Sequence, residues 1–177
     1  MKKKFGILFR ISGLPGSGKT EVAKLLHPKI NKIFGPSVIW SGDDLRKIYN
    51  NKSYSLKERN IFGCQNIGLI KLINSQKINV IFATVGLSTA IRKKFKKEIP
   101  NYIEIIIKAD IKDLQKRNAR EFYNNNSKNV WGKDIKVEYP KKPDVAIVND
   151  FKKDLVYMEK YILKNLIKLK KLQSFMI

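Results

Sequence analysis

An α/β fold with a mostly parallel sheet of about five strands is predicted by three features. These are apolar runs of strand length, segments of helical periodicity between them, and a glycine-rich string directly after the first run. The first run, 5–12, follows a lysine-rich start that mimics a secretory leader. Arg10 interrupts it, and Gly13, Pro15 and Gly16 follow without a cleavage-type site, so it reads as a strand. A helix is expected over 18–26, stopped by Pro28, which puts His27 at a helix end. A strand over 38–41 and helices over 43–49 and 56–75 follow, then a strand over 79–84, a helix over 88–97 and a strand over 102–108. The spacing next predicts a helix over 111–123 and a polar, charged stretch over 124–142 that is long enough for a mobile functional loop. The last strand is 145–148. A final helix, 150–172, carries Leu155, Met158, Ile162, Leu166 and Leu169 on one stripe and is expected to dock on the sheet. A dimer contact or a membrane surface is the other use such a stripe could have.

The 177 residues suit one domain, 1–177, with its own core. At 43% hydrophobic and 10% aromatic residues the chain is too apolar to be disordered throughout. Its longest apolar stretches, 80–85 and 103–107, fall far short of the roughly 20 residues that span a bilayer, so no membrane partner is expected. The one cysteine, Cys64, can form no internal disulfide and supplies no metal-ligand set, which points to a reducing, cytoplasmic setting. Lys+Arg number 37 against 15 Asp+Glu, a net charge of +22. That surplus invites a nucleic-acid partner. Yet the lysines are spread over the chain among Asn and Ile, as in Lys29-Ile30-Asn31-Lys32-Ile33 and Asn124-Asn125-Asn126, the mixture that A+T-rich coding produces. A third reading is a small polyanionic ligand, and the motifs favour it.

Gly13-Leu14-Pro15-Gly16-Ser17-Gly18-Lys19-Thr20 fits G-x-x-x-x-G-K-[ST] at every fixed position, after a strand and before a helix. Glycines at these positions let successive N–H groups curl round a phosphate at the positive end of a helix. Lys19 would reach the outer phosphates of ATP, and the Thr20 hydroxyl would hold Mg²⁺. The string and its context together predict a three-layer α/β/α fold of the P-loop NTPase type. A guanine-specifying Asn-Lys-x-Asp is absent, as is an aliphatic run ending in Asp-Glu, so a kinase acting on a small acceptor fits best.

After the second strand comes Ser41-Gly42-Asp43-Asp44-Leu45-Arg46, which lies at the carboxyl edge where open α/β sheets bind ligands. Asp43 could deprotonate or orient an attacking hydroxyl, or hold a magnesium water. Asp44 could equally serve as a helix cap.

At these residues the sequence resembles the adenylylsulfate (APS) kinase family, whose pattern is a P-loop followed by Asp-Gly-Asp-x-[Leu/Val]-Arg. Tyr54-Ser55 with Arg59 is similar to the family's Phe-Ser-x-x-Asp-Arg, and Lys116-Arg117-Asn118 with Tyr123 to its Lys-Arg-Asp and later Tyr. Lys128-Asn129-Val130-Trp131-Gly132 resembles the lid string Lys-Asn-Phe-Thr-Gly, and Pro140 with Pro143-Asp144-Val145 resembles Pro-x-x-Pro-Asp-Leu/Val. The resemblance implies transfer of the γ-phosphate of MgATP to the ribose 3′-hydroxyl of a 5′-activated nucleotide. It implies a homodimer as well. By the same resemblance Arg46 and Arg59 hold the acceptor's anionic end and Tyr54 stacks on its base. Lys128 also touches phosphate, Arg117 belongs to the nucleotide-binding lid, and 124–142 closes over both ligands.

Four departures fall on the acceptor side. Ser41 replaces the first Asp, 61–66 lacks the family's Glu-Asn-x-Arg-Arg, Val85-Gly86-Leu87 replaces Ile-Ser-Pro, and Val130 replaces the lid Phe. This pattern is similar to a branch of capsule-pathway kinases that includes those acting on cytidine diphosphoramidate. Adenylyl sulfate and cytidine diphosphoramidate both stand as acceptors at this point. An ATP-switched nucleic-acid-binding protein, or a polynucleotide or metabolite kinase on the same fold, is the alternative.

Overall fold

The structure, a computed structural model, describes residues 4–117, 121–125 and 127–177, together with the backbone but not the side chain of Phe122. Met1, Lys2 and Lys3 of the basic start, Asn118 of the basic tripeptide and Asn126 of the asparagine run lie outside the described residues.

Five strands, β1 (Leu8–Gly13), β2 (Ser37–Ser41), β3 (Asn79–Thr84), β4 (Tyr102–Lys108) and β5 (Val145–Val148), form one parallel sheet in the order β2-β3-β1-β4-β5. Three of the five have the bounds that the apolar runs predict. The order reverses at β1, so the glycine-rich loop leaves the sheet at its centre, at the switch point where such sheets bind ligands. Helices α1 (Lys19–Phe34), α2 (Gly42–Ile48), α3 (Leu56–Ser75), α4 (Thr89–Glu98), α5 (Ile111–Lys116) and α6 (Leu155–Lys168) cover it.

Alternation along β1 divides the core. Phe9 and Ile11 face Val22, Leu26, Ile30 and Phe34 of α1 and Ile162 and Leu166 of α6. Leu8 lies on the other face, with Phe62 and Ile70 of α3 and Ile91 and Phe95 of α4. A third apolar cluster sits above the carboxyl edge, where Leu14 and Leu87 meet Leu114, Tyr123, Val130 and Trp131.

Four expectations are corrected. The first strand begins at Leu8, three residues later than expected. α1 runs eight residues past Leu26 and carries Pro28 inside it. Positions 22, 26, 30 and 34 recur every fourth residue and are all buried, so packing offsets the hydrogen bond that the proline cannot donate. His27 therefore lies within the helix, its Nε2 3.0 Å from the Ser37 carbonyl. The helix expected over 111–123 is α-helical only to Lys116, with a 3₁₀ turn at Glu121–Tyr123. The last helix is shorter than 150–172: Asp154 caps it through Tyr157 N at 2.7 Å, and a 3₁₀ segment, Lys170–Phe175, follows Leu169.

α6 docks as its stripe predicts. Met158, Ile162 and Leu166 are buried against α1 and β5, which removes the stripe from any dimer or membrane surface. Among the described residues no helix is long and apolar enough to cross a membrane.

Candidate active site

The glycine-rich loop has the backbone its sequence demands. Gly16 (φ 81°) and Gly18 (φ 87°) adopt left-handed conformations that side chains disfavour. A Cβ on Gly13 would overlap the Ile107 carbonyl of β4. Gly18 N-caps α1 with no side-chain cap, so the helix presents its first-turn N–H groups and positive dipole end to the loop. Lys19 is buried and donates from Nζ to the Leu14 carbonyl at 2.7 Å. The Ser17 hydroxyl is buried without a partner. Two distant residues brace the loop, Asn149 by donating to the Ser17 carbonyl at 3.2 Å and the Tyr123 hydroxyl by donating to the Pro15 carbonyl at 3.0 Å. Thr20 is half-buried on the first turn of α1.

Two strands from β1, with β3 between, Ser41 and Asp44 divide the labour of the Asp-rich string. The Asp44 carboxylate accepts from Ser41 N (2.7 Å) and Oγ (2.8 Å), and Ser41 Oγ accepts from Asp44 N (3.1 Å). This capping box holds the start of α2 and, through the Ser41 hydrogen bonds, keeps the Asp44 carboxyl below the usual range. Asp43 is left exposed at the mouth of a cavity of about 90 Å³ lined also by Arg46, Tyr54, Arg59 and Phe62.

The two arginines bracket Tyr54. Arg46 stacks on Tyr54 at 4.3 Å and Phe62 at 4.6 Å and donates to the Ser53 carbonyl at 2.7 Å. Arg59 lies 5.3 Å from the Tyr54 ring and donates to the carbonyls of Tyr54 (2.7 Å) and Asn129 (2.6 Å). Burial, helped by the Arg46 charge, lowers the Arg59 pKa. Asp43, Arg46, Tyr54 and Arg59 are thus brought to one pocket.

Lys128 and Arg117 are not. Lys128 is exposed and lies outside the lining of this pocket. Arg117 ends α5 and stacks on Phe151 at 4.7 Å. The segment 124–142 is packed down in this structure. Val130 and Trp131 are buried, Trp131 pairs with Ile135, and Asp134 accepts from Val130 N at 2.5 Å. Glu138 accepts from Thr89 N at 3.1 Å, which ties the segment to α4. Cys64 points elsewhere, with Lys94 Nζ 3.1 Å from its sulfur.

Sequence reasoning set Asn66, Gly86 and Leu87 on the acceptor side as departures without giving them a role, and it missed Arg10 and Thr84 in the floor of the pocket. Arg10, Asn66, Thr84, Gly86 and Leu87 line it, and Trp131 does so from the packed segment. The signal for Arg10 was present, since a cation interrupts an otherwise apolar strand. It is fully buried, donates to Tyr102 Oη (3.3 Å) and the Gly86 carbonyl (2.5 Å), and lies 3.7 Å from Glu104 and 5.0 Å from the Phe95 ring.

Burial, with the Glu104 charge adding to it and Arg10 opposing, pushes the Tyr102 phenol up to about 12. An unfolded phenol ionises near ~10, so the stability this group contributes is complete below that pH and is lost as pH rises from there through 12. Urea midpoints measured from pH 9 to 12 are expected to show a loss of about 2–3 kcal/mol, much reduced in Tyr102→Phe.

Among the described residues no group of three or more His, Cys, Asp or Glu side chains could hold a metal by itself.

Comparison with known proteins agrees with this geometry. The adenylylsulphate kinase family model matches residues 5–148. The cytidine diphosphoramidate kinase of Campylobacter jejuni is 29% identical over 160 residues, covering 88% of this chain and 94% of that one. A probable adenylyl-sulfate kinase of Archaeoglobus fulgidus is 26% identical over 145 residues, covering 79% and 94%. Among solved structures, the Mycobacterium tuberculosis APS kinase in complex with AMPPNP and APS superposes with a TM-score of 0.81 at 20% identity, over 92% of this chain and 98% of that one. The phosphate loop, the parallel sheet and the family match over most of the chain converge, and the chain belongs to the adenylylsulphate kinase family of ATP-dependent phosphotransferases.

Proposed function

We propose that this chain is a single kinase domain that transfers the γ-phosphate of ATP to the ribose 3′-hydroxyl of a nucleotide activated at its 5′-phosphate. One observation carries the reading: an intact phosphate cradle opens at the same sheet edge as a pocket holding Asp43, two arginines and an aromatic ring. The main-chain N–H groups of 16–20 and Lys19 grip the donor phosphates. The orphaned Ser17 hydroxyl and the glycine cradle fit that ligand. Thr20 would hold the Mg²⁺ that accompanies ATP, which supplies charge neutralisation between the β- and γ-phosphates when bound.

Arg46 and Arg59 hold the acceptor's anionic end, as paired guanidinium forks do. Tyr54 stacks on its base, and Asp43 takes or orients the 3′-hydroxyl proton. The segment 124–142, anchored through Asn129 to Arg59, acts as a lid that excludes water from the transfer. Lys128 within this lid and Arg117 before it contribute to nucleotide binding. The family relatives name two acceptors, cytidine diphosphoramidate, which would place the chain in capsule modification, and adenylyl sulfate.

The deciding experiment is ATP consumption with cytidine diphosphoramidate, adenylyl sulfate, nucleosides and RNA ends. ADP is expected to form only with a 5′-activated nucleotide, and ADP formation no faster than with water overturns the reading. Asp43→Asn should lower that rate about 10²-fold or more while ATP affinity stays unchanged.

A cytoplasmic homodimer completes the proposal. Light scattering should return twice the 20.5 kDa chain mass. The +22 charge has no part in the chemistry beyond the pocket. Lys168→Gln with Lys170→Gln is expected to leave turnover unchanged. Lys171 is set apart, since its Nζ lies 2.7 Å from Asp144 and 3.0 Å from the Tyr102 carbonyl, and its loss should lower stability instead.

A further inference from the structure

Arg10 sits on the central strand where alternation calls for an apolar side chain, and it is fully buried beneath the acceptor pocket that it helps to line. Its positive charge is not fully met. Glu104 is the carboxylate beside it at 3.7 Å, and Arg92 claims the same oxygen at 3.5 Å, so two guanidinium groups share one acid. The Nε of Arg10 is buried without a hydrogen-bond partner.

A second orphan lies in the wall of the same pocket. Asn66 is buried on α3 and donates from Nδ2 to the Phe62 carbonyl at 2.8 Å, which fixes its amide and leaves Oδ1 as the buried acceptor without a partner. Buried polar groups are nearly always paired, and an exception in the wall of a cavity calls for an explanation that a ligand can supply. Here one donor and one acceptor are left over at one cavity.

The loop above is shaped to admit the arginine. Gly86 has φ 43°, its carbonyl accepts from Arg10, and a Cβ on it would overlap the Arg10 guanidinium. Gly86 stands where the family pattern has Ser, so this departure and Arg10 form one unit.

We propose that Arg10 and Asn66 read the base of the acceptor nucleotide and select cytosine. A guanidinium is a rigid fork of donors with no acceptor. The unpartnered Nε–H and the neighbouring Nη2, which carries a second N–H beside the one it gives Gly86, form one edge of that fork. Cytosine offers this edge two adjacent acceptors, O2 and N3, and beside them a 4-amino group for Asn66 Oδ1. Adenine has no edge with two adjacent acceptors, since N1 and N7 each stand beside the 6-amino donor and N3 stands apart, and its second ring needs more room in a cavity of about 90 Å³. The inference rests on the nucleotide-kinase reading and names which nucleotide the pocket takes.

The test separates the two claims. CMP and AMP are titrated calorimetrically into the full chain, into Arg10→Met and into Asn66→Leu, and turnover is measured in parallel with cytidine diphosphoramidate and adenylyl sulfate. Arg10→Met leaves Glu104 paired with Arg92 and with Tyr102, whose hydroxyl lies 3.1 Å away. If that variant still fails to fold, Asn66→Leu, which keeps shape on a helix and loses one local bond, decides alone.

The wild-type chain is expected to bind CMP at least tenfold more tightly than AMP. Each substitution should weaken CMP about tenfold, the worth of a hydrogen bond to a charged or buried partner, and change AMP less than threefold. Equal binding of the two nucleotides by the wild type, or a CMP preference that survives both substitutions, overturns the inference. A CMP preference lost in the variants, with neither acceptor phosphorylated by the wild type, upholds base reading and overturns the kinase reading instead.

Discussion

Lys19→Ala lowers acceptor-dependent ADP formation about 10³-fold and leaves the fold intact. The ammonium group is buried at the start of α1 and points back to the Leu14 carbonyl inside its own loop, so it is held in place before any nucleotide arrives. A cation fixed at the phosphate being transferred stabilises charge that spreads in the transition state, and one such preorganised donor is typically worth 10²–10³ in rate. The full charge of Lys19 puts it at the upper end. Truncation removes a charge and one hydrogen bond to a carbonyl without opening the core, because the buried face of α1 is carried by Val22, Leu26, Ile30 and Phe34. Steady-state kinetics with thermal melts of both proteins check this. A Tm equal to wild type with a thousandfold loss of turnover is the expected pair of results.

Gly86→Ala destabilises the protein by about 2–4 kcal/mol, a fall of roughly 5–15 °C in Tm. Part of the cost, about 1 kcal/mol, is backbone, since φ 43° disfavours any side chain. The rest is overlap with the Arg10 guanidinium, which has nowhere to go. It is wedged over Phe95, fully buried, and bonded to the carbonyl of the residue being changed. A double-mutant cycle isolates that part. In an Arg10→Met background the overlap is gone, and Gly86→Ala should then cost only the backbone share, leaving a coupling of about 1–3 kcal/mol between positions that lie 76 residues apart in sequence. Additive effects would show that the arginine can yield.

Local chemistry made the glycine-rich loop legible. The Gly13–Thr20 string needs left-handed glycines, a preceding strand and a following helix, and each requirement is a short-range property that the sequence displays directly. The strands of the inner sheet were legible for a similar reason, because parallel strands buried on both faces read as apolar runs such as 80–83. The acceptor side was legible in part. Asp43, Arg46, Tyr54 and Arg59 do converge on one pocket, whereas Lys128 does not line it, because the segment that carries it packs by Val130 and Trp131 and leaves the cation exposed. Arg117, expected at the nucleotide-binding lid, is exposed and stacks on Phe151. The end of α1 was misread because a proline is a local signal, and the fourfold spacing of 22, 26, 30 and 34 against the sheet outweighs it only once the sheet exists.

The sequence by itself determined that this chain is an α/β kinase-type fold with a left-handed glycine-rich loop after its first strand, because glycine spacing and hydrophobic period act within a few residues. What the tertiary structure decided is what that loop faces. Arg10, Gly86 and Asn66 are far apart in the chain and meet because β1 pairs with β3 and α3 packs across both, and a buried arginine acquires a role only from the groups that surround it.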